Sequence, residues 1–387
     1  MFETAFGFIP EQGADIILSD QNERLVSQEF RIQSHDEATL RWLAGVNFFR
    51  THFTLDRNSS SSFSPYSSGL WDVAIDSEVW SVFGDLGKDL SERWSLSGGL
   101  RLAQDEQDFS VRYTGKGFPG SVEAFQQDER RTDSYTTGHL TLGANWNAAT
   151  YSYFRVARGY ASGGYDKGAF NAAVGEETVA FAPSKSWSYE LGLKMQLLQG
   201  RATINGSVFF NDVDNGQLLA ANTETQPTTF EFINQDYDTY GLELETRWLP
   251  SRALELSLAL GYTETELRDV TEAAAVGVKS GNRVPGAPEL TAAFNAHVQL
   301  APRWRASLQF QHVGDRAADA QNTDLLAAYD MINARLTWGQ ERFKMYAFVN
   351  NWQDERPEYF SSTYSDTAHA LSIGPGRVLG LGLRGQL

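Results

Sequence analysis

In Tyr189, Leu191, Leu193, Met195 and Leu197 apolar side chains fall on every second residue, with Glu190, Gly192, Lys194 and Gln196 between them. A period of two belongs to a strand with two unlike faces. Beyond the turn Leu198-Gln199-Gly200-Arg201 the alternation resumes through Ala202, Ile204, Gly206, Val208 and Phe210, so the pair of runs predicts a hairpin. The design repeats along most of the chain. It predicts strands near 2–9, 24–33, 39–53, 75–89, 93–105, 134–146, 150–159, 184–197, 201–212, 237–248, 253–265, 289–300, 303–313, 329–338, 343–350 and 376–387.

The connections alternate between two kinds. Short ones fall at SHDEA (34), LSER (90), NAAT (147), LQGR (198), PSR (250), APR (301) and GQER (339). Long ones are expected at about 54–74, 106–133, 160–183, 213–236, 266–288, 314–328 and 351–375, rich in Ser, Asn, Asp, Gly and Thr. Tight turns at one end and long loops at the other predict an all-β, antiparallel up-and-down transmembrane β-barrel, with the turns periplasmic and the loops outside the cell. Soluble sandwiches rarely sort their loops this way.

Tryptophan placement points the same way. Trp42, Trp94, Trp146, Trp248, Trp304 and Trp338, six of the 10 tryptophans, lie beside short turns. They predict a membrane-interface girdle at the periplasmic rim, with Tyr151 and Phe343 beside it. In Leu254, Leu256, Leu258, Leu260 and Tyr262 the apolar set is expected to face lipid, with Glu255, Ser257, Ala259, Gly261 and Thr263 toward the lumen. Glu243, Glu245, Arg247 and His297 fall on the polar sides of their strands. Charges at mid-strand predict a wet or polar-filled interior, because burial among apolar side chains would cost several kcal/mol each.

Composition alone would pass for a soluble protein, with mean hydropathy of −0.38. No run of 18 or more apolar residues is present, which excludes a membrane helix but not a barrel. A net charge of −17 argues against a nucleic-acid partner, which needs clustered Lys and Arg. Cys is absent, so disulfides and thiolate metal sites are excluded. The start, MFETAFGFIPEQ, has no basic segment followed by an apolar one, so no secretory signal is read there.

No GxSxG, HExxH or Walker motif is found, so no catalytic residue is nominated and no enzyme is expected. His35, His52, His139, His297, His312 and His369 are scattered, and neither a metal site nor a cofactor is expected. Asp212, Asp214, Asn215 and Gly216 in DVDNG lack the remaining ligand positions of a calcium loop and read as a solvated turn opening an extracellular loop.

A succession of phrases resembles the C-terminal part of a TonB-dependent outer-membrane receptor. They are RLVSQEFRIQS and TLRWLAGVNFFRTHF (24–53), VFGDLGKDLSERWSLSGGLRLAQDEQDF (82–109), YFRVARGYASGGYDKGAFN (153–171) and SWSYELGLKMQLLQGRATINGSVFFNDVDN (186–215). YDTYGLELETRWLPSRALELSLALGYTETEL (237–267), NRVPGAPELTAAFNAHVQL (282–300), FVNNWQDERPEYF (348–360) and GPGRVLGLGLRGQL (374–387) follow in family order.

The resemblance implies part of a 22-stranded barrel that closes around an N-terminal plug and imports a scarce ligand by force relayed from TonB, ExbB and ExbD. A ferric siderophore is the ligand class expected. About sixteen strands cover residues 1–387, and the chain is expected to be an incomplete barrel domain whose plug and first strands are missing. It also ends in Leu387, where the family usually has an aromatic residue. Ligand capture would then belong to loop aromatics and upper-lumen cations: Trp71, Tyr113, Phe118, Arg155, Arg158, Tyr165, Lys167, Phe170, Phe230 and Tyr359, with Phe181 and Tyr364 beside them. The rings offer stacking surface, or else pack loop against loop. Two other readings stay open at this point, a passive outer-membrane porin and a soluble all-β binding protein.

Overall fold

A computed structural model describes the chain except residues 1, 10–12, 36, 62–67, 116–123, 167–179, 223–228, 271–276, 341, 366–367 and 386–387. The side chains of 2–16, 61, 221–222, 229–231, 362–365 and 368–370 also lie outside the description. The strands are β1 (Phe2–Ile9), β2 (Gly13–Gln33), β3 (Leu40–Ser61), β4 (Gly69–Asp89), β5 (Trp94–Gly115), β6 (Phe125–Asn147), β7 (Thr150–Ala161), β8 (Ser184–Leu197), β9 (Ala202–Asn222) and β10 (Thr229–Ser251). They continue with β11 (Leu254–Leu267), β12 (Leu290–Ala301), β13 (Trp304–Val313), β14 (Arg316–Ala317), β15 (Leu325–Leu326), β16 (Tyr329–Gln340), β17 (Phe343–Asn350), β18 (Glu358–Ser365), β19 (Ala368–Ile373) and β20 (Val378–Gly385).

One 16-stranded sheet runs β1 to β13 in chain order, then β16, β17 and β20. Every neighbouring pair is antiparallel. Each strand position expected from the alternation is occupied by one of these sixteen. Among the described residues β1 and β20 do not pair with each other. The two remaining hairpins, β14–β15 and β18–β19, lie in the long connections.

The strands are longer than the membrane needs. β3 and β5 have 22 residues and β6 and β10 have 23. At about 3.3 Å per residue that is roughly 70 Å of strand, whereas a tilted crossing takes about 9–11 residues. The expected loops at 54–74, 106–133 and 213–236 are therefore in large part strand. The reason is an inversion of hydrophobic phase. On β4 the outward set runs Leu86, Val82 and Trp80, then turns to Glu78, Asp76 and Asp72, while the inward set changes from Asp85 and Ser81 to Ile75, Val73 and Trp71. The polar residues of these stretches give them the composition of loops, but they occupy one face only, and the other face is a core.

DVDNG is likewise not a turn. It lies inside β9, where Asn215 takes a φ of 53° and its N–H donates to Asp236 Oδ1 at 2.7 Å. The register against β10 slips between Gln235 and Tyr237, so the segment is a β-bulge in a continuing strand.

The short turns match expectation at β8–β9, where Leu198, Gln199 and Gly200 all have positive φ (54°, 59° and 80°). On the inward face glycines receive aromatic rings from the next strand. Tyr153 lies across Gly192, and Tyr346 across Gly382. A Cβ at Gly192 would run into the Tyr153 ring, which is also hydrogen-bonded to Glu190. Gly192→Val is expected to destabilise the sheet by about 1–3 kcal/mol through overpacking. A urea unfolding midpoint equal to that of the parent would refute this use of the glycine.

Candidate ligand mouth and membrane belt

Inside the membrane-level part of the sheet the inward face is polar and cross-linked between strands. Arg101 donates to Asn47 at 3.2 Å, Asn211 to Thr239 at 2.8 Å and Asn333 to Gln309 at 3.2 Å. Arg247 pairs with Glu255 at 2.6 Å, and His139 lies 3.3 Å from Asp85. A water-exposed or domain-filled lumen satisfies such groups, and a dry core would not.

Above that level the inward face of β3, β4 and β5 becomes an apolar wall of Phe53, Leu55, Trp71, Val73, Ile75, Phe109, Val111 and Tyr113, with Phe125 of β6 against it. The β7–β8 connection folds onto this wall. Tyr165 stacks on Phe109, ring centroids 4.4 Å apart and planes within 6°. Gly164 and Phe181 exchange backbone hydrogen bonds of 3.1 and 2.9 Å, which closes the base of the connection. Arg131, held by Asp133, donates to the Phe181 carbonyl at 2.8 Å. Gln217 donates to the Ser162 carbonyl at 2.8 Å and Asn234 to that of Ala182 at 3.0 Å. Burial lowers the pKa of Arg57 from its ordinary value, and the charge of Asp166 on the same connection opposes the shift.

A second cluster joins Ala220, Ile233 and Leu267 at the outer ends of β9, β10 and β11 to Val278 and Ala320 of the β11–β12 and β13–β16 connections. Farther on, Arg316 donates to the Glu358 carbonyl at 2.6 Å and Ser361 bonds Asp324, tying the β18–β19 hairpin to the β13–β16 connection.

Three of the ten expected ligand contacts, Trp71, Tyr113 and Tyr165, are packed into the wall. Trp71 and Tyr113 lie in β4 and β5 rather than on loops, with rings 4.3 Å apart, and they are 5% and 0% exposed. The Tyr113 hydroxyl donates to the Ser68 carbonyl at 2.9 Å, and burial raises its pKa. Tyr165 is 6% exposed, its pKa raised chiefly by burial. Trp71 and Tyr113 therefore pack against each other and Tyr165 against Phe109, and all three are buried. Tyr359 lies in β18, exposed and edge-on to Tyr329 at 6.3 Å. Phe230 lies in β10 with its side chain outside the description, as is that of Tyr364, and Phe118, Lys167 and Phe170 fall outside the described residues.

Arg155 and Arg158 are not a pair. Arg155 lies opposite Glu190 on the inward face, whereas Arg158 lies opposite Trp187 with its guanidinium 5.4 Å over that ring, on the outward face. Residues three apart on a strand point to opposite sides, so the spacing itself forbids a joint lumenal role.

The outward face carries two levels of aromatics. At the short-turn end Trp42, Trp94, Trp146, Trp248 and Trp304 are exposed, and Trp338 pairs in register with Trp304. Arg93 lies 3.8 Å over the Trp146 ring, and Tyr151, expected beside this ring of indoles, turns inward toward Gly143. A second level comprises Trp80, Trp187, Tyr189, Phe210, Tyr240 and Tyr262, all exposed. Tyr240 and Trp248 are eight positions apart, about 26 Å along the strand, close to the about 9–11 residues of a tilted membrane crossing. Directly above come charges, including Arg50, Asp76, Glu106 and Arg130, with Arg130 bonded to Glu106 at 2.9 Å. The signal for this level is the place where the alternation changes phase.

Sheet, sorted loops, polar inner face and aromatic levels define the wall of an outer-membrane barrel. Residues 6–351 match the family described as TonB dependent receptor-like, beta-barrel, and the chain belongs to that family of outer-membrane receptor barrels. It is 24% identical over 316 residues to a pesticin receptor of Yersinia pestis, covering 79% of this chain and 43% of that protein. A pesticin receptor of Yersinia enterocolitica is 24% identical over 367 residues, covering 92% and 51%. Among solved structures, the ferric yersiniabactin uptake receptor FyuA from Yersinia pestis superimposes with a TM-score of 0.82 at 21% identity, covering 99% of this chain and 56% of that one. The copper transporter OprC gives 0.75 at 15% identity, covering 95% and 59%. The chain thus spans about half the length of the curated relatives it matches. The soluble all-β reading is set aside by the family.

Proposed function

We propose that this chain is the later part of the barrel domain of an energised importer, that its lumen holds a plug domain, and that TonB with ExbB and ExbD supplies the driving force. The small ligand we assign is a ferric siderophore. The family match over residues 6–351 carries this reading. The polar inward face supports it, because cross-strand ladders such as Arg101–Asn47 and Asn333–Gln309 leave donors and acceptors for a folded polar domain. The relatives' names favour a chelated metal as cargo, since one similar receptor takes up ferric yersiniabactin and another transporter carries copper. The indoles at the short-turn ends are proposed to sit at the periplasmic lipid boundary, and the ring at Trp80 and Tyr240 at the outer one.

Uptake measurements separate this from a passive channel. Cells carrying the full receptor, given radio-iron on its siderophore, should lose accumulation when TonB is deleted or the proton gradient is collapsed. Accumulation that survives both treatments would make the protein a porin.

A further inference from the structure

The outward face bears a groove of about 780 Å³ at the upper aromatic level. Its floor is made by short side chains, Ser134 and Thr136 on β6, where the pairing of β6 with β7 ends at Gly138 and Arg158. One wall is apolar, with Val46, Trp80, Val82 and Leu102 from β3, β4 and β5. The opposite wall carries Arg158 and Lys185, both exposed. Below the groove the same face continues through Leu100, Leu140 and Leu142, all exposed.

Three features together select a ligand. The side chains of Arg158 and Lys185 make no ion pair or hydrogen bond with another described residue, although the chain carries a net charge of −17. A guanidinium and an ammonium on one wall match a phosphate, the first as a planar fork and the second as a point charge. The neighbouring wall and the leucines beneath suit acyl chains, and the floor hydroxyls suit a sugar. The volume accommodates one phosphorylated sugar with the start of a chain. We propose that this groove binds a phosphorylated acyl glycolipid of the outer leaflet, with Arg158 and Lys185 on the phosphate and Trp80 and Leu102 against the acyl chain. Asp214 lies opposite Lys185 in register and opposes anion binding there. The assignment rests on the outer-membrane setting and is independent of which nutrient is imported.

Native mass spectrometry of the full receptor, purified in detergent with diphosphoryl lipid A or its dephosphorylated counterpart, tests it. The parent is expected to retain the diphosphoryl form about tenfold more strongly, and Arg158→Gln with Lys185→Gln to erase that preference. Asp214→Asn should raise retention, a gain that a misfolded protein cannot give. Arg201→Gln with Arg252→Gln, at the other end of the sheet, should leave the preference intact. Unchanged preference in the Arg158/Lys185 variant, or equal loss in the Arg201/Arg252 variant, would overturn the site. Displacement of the lipid by millimolar inorganic phosphate alone would show that it takes a free anion and would overturn the lipid assignment. Siderophore uptake plays no part in the readout, so failure here leaves the transport reading standing, and failure of transport leaves this one.

Discussion

Leu193→Arg is expected to destabilise the inserted protein by about 2–4 kcal/mol, the cost of a cation facing hydrocarbon near the bilayer midplane. Leu193 is exposed on the outward face, midway between the upper ring at Tyr189 and the short turn at Leu198. Its register partners Ser152 and Gly206 are small, so no neighbouring side chain shields an arginine there, and the long side chain has several residues to climb before it reaches water. Gln196→Arg adds the same charge on the inward face of the same strand, and a wet lumen should hold that change to under about 1 kcal/mol. Urea unfolding in lipid vesicles, followed by tryptophan fluorescence, measures both. Equal midpoints for Leu193→Arg and the parent would mean that the leucines of β8 do not face lipid, and the membrane placement of the sheet would go with them.

The hairpins were legible because their two faces meet different solvents. Oil outside and water inside force a strict two-residue beat, and that beat located every strand of the main sheet, together with the turns at 34, 90, 147, 198, 250, 301 and 339. Where the strands leave the membrane both faces change environment at once. Glu78 then follows Trp80 on the outside, while Ile75 and Val73 replace Ser81 and Asp85 on the inside. Read as composition, that stretch is a mixture of polar and aromatic residues, which is what a loop looks like. Read as phase, it is the same strand with its sides exchanged. Two of the candidate ligand residues show the same exchange of sides. Trp71 and Tyr113 looked like isolated aromatics in polar loops, yet they sit two residues apart from Val73 and Val111 on a common inward face. Arg158 was legible from spacing alone, since its odd offset from Arg155 places it on the lipid side. The latch formed by Arg131, Gln217 and Asn234 could not be read locally, because its partners lie 50, 55 and 52 residues away.

Phe109→Ala is expected to cost about 3–5 kcal/mol of local stability in the extracellular wall while leaving the membrane-level hairpins folded. Phe109 is 2% exposed and supplies the stacking surface for Tyr165, so its loss removes both a filled volume and the platform that holds the β7–β8 connection inward. The remaining ties of that connection, Arg131 to Phe181, Gln217 to Ser162 and the paired bonds between Asn234 and Ala182, are hydrogen bonds worth about 0.5–1.5 kcal/mol each. They cannot hold the segment once the stack is gone, because the ordering entropy of the freed residues is about 1–2 kcal/mol apiece. Hydrogen exchange should therefore speed up at 162–166 and at the outer halves of β4 and β5, with the amides of β8 near Leu193 unchanged. Tyr113→Phe, which keeps the ring and removes one hydrogen bond to the Ser68 carbonyl, should show a smaller loss of about 0.5–1.5 kcal/mol confined to the same wall. If Phe109→Ala leaves exchange at 162–166 unaltered, the connection is held by something other than the aromatic wall. A uniform rise across β8 would instead show that wall and membrane sheet unfold as one unit, contrary to the division drawn by the change of phase.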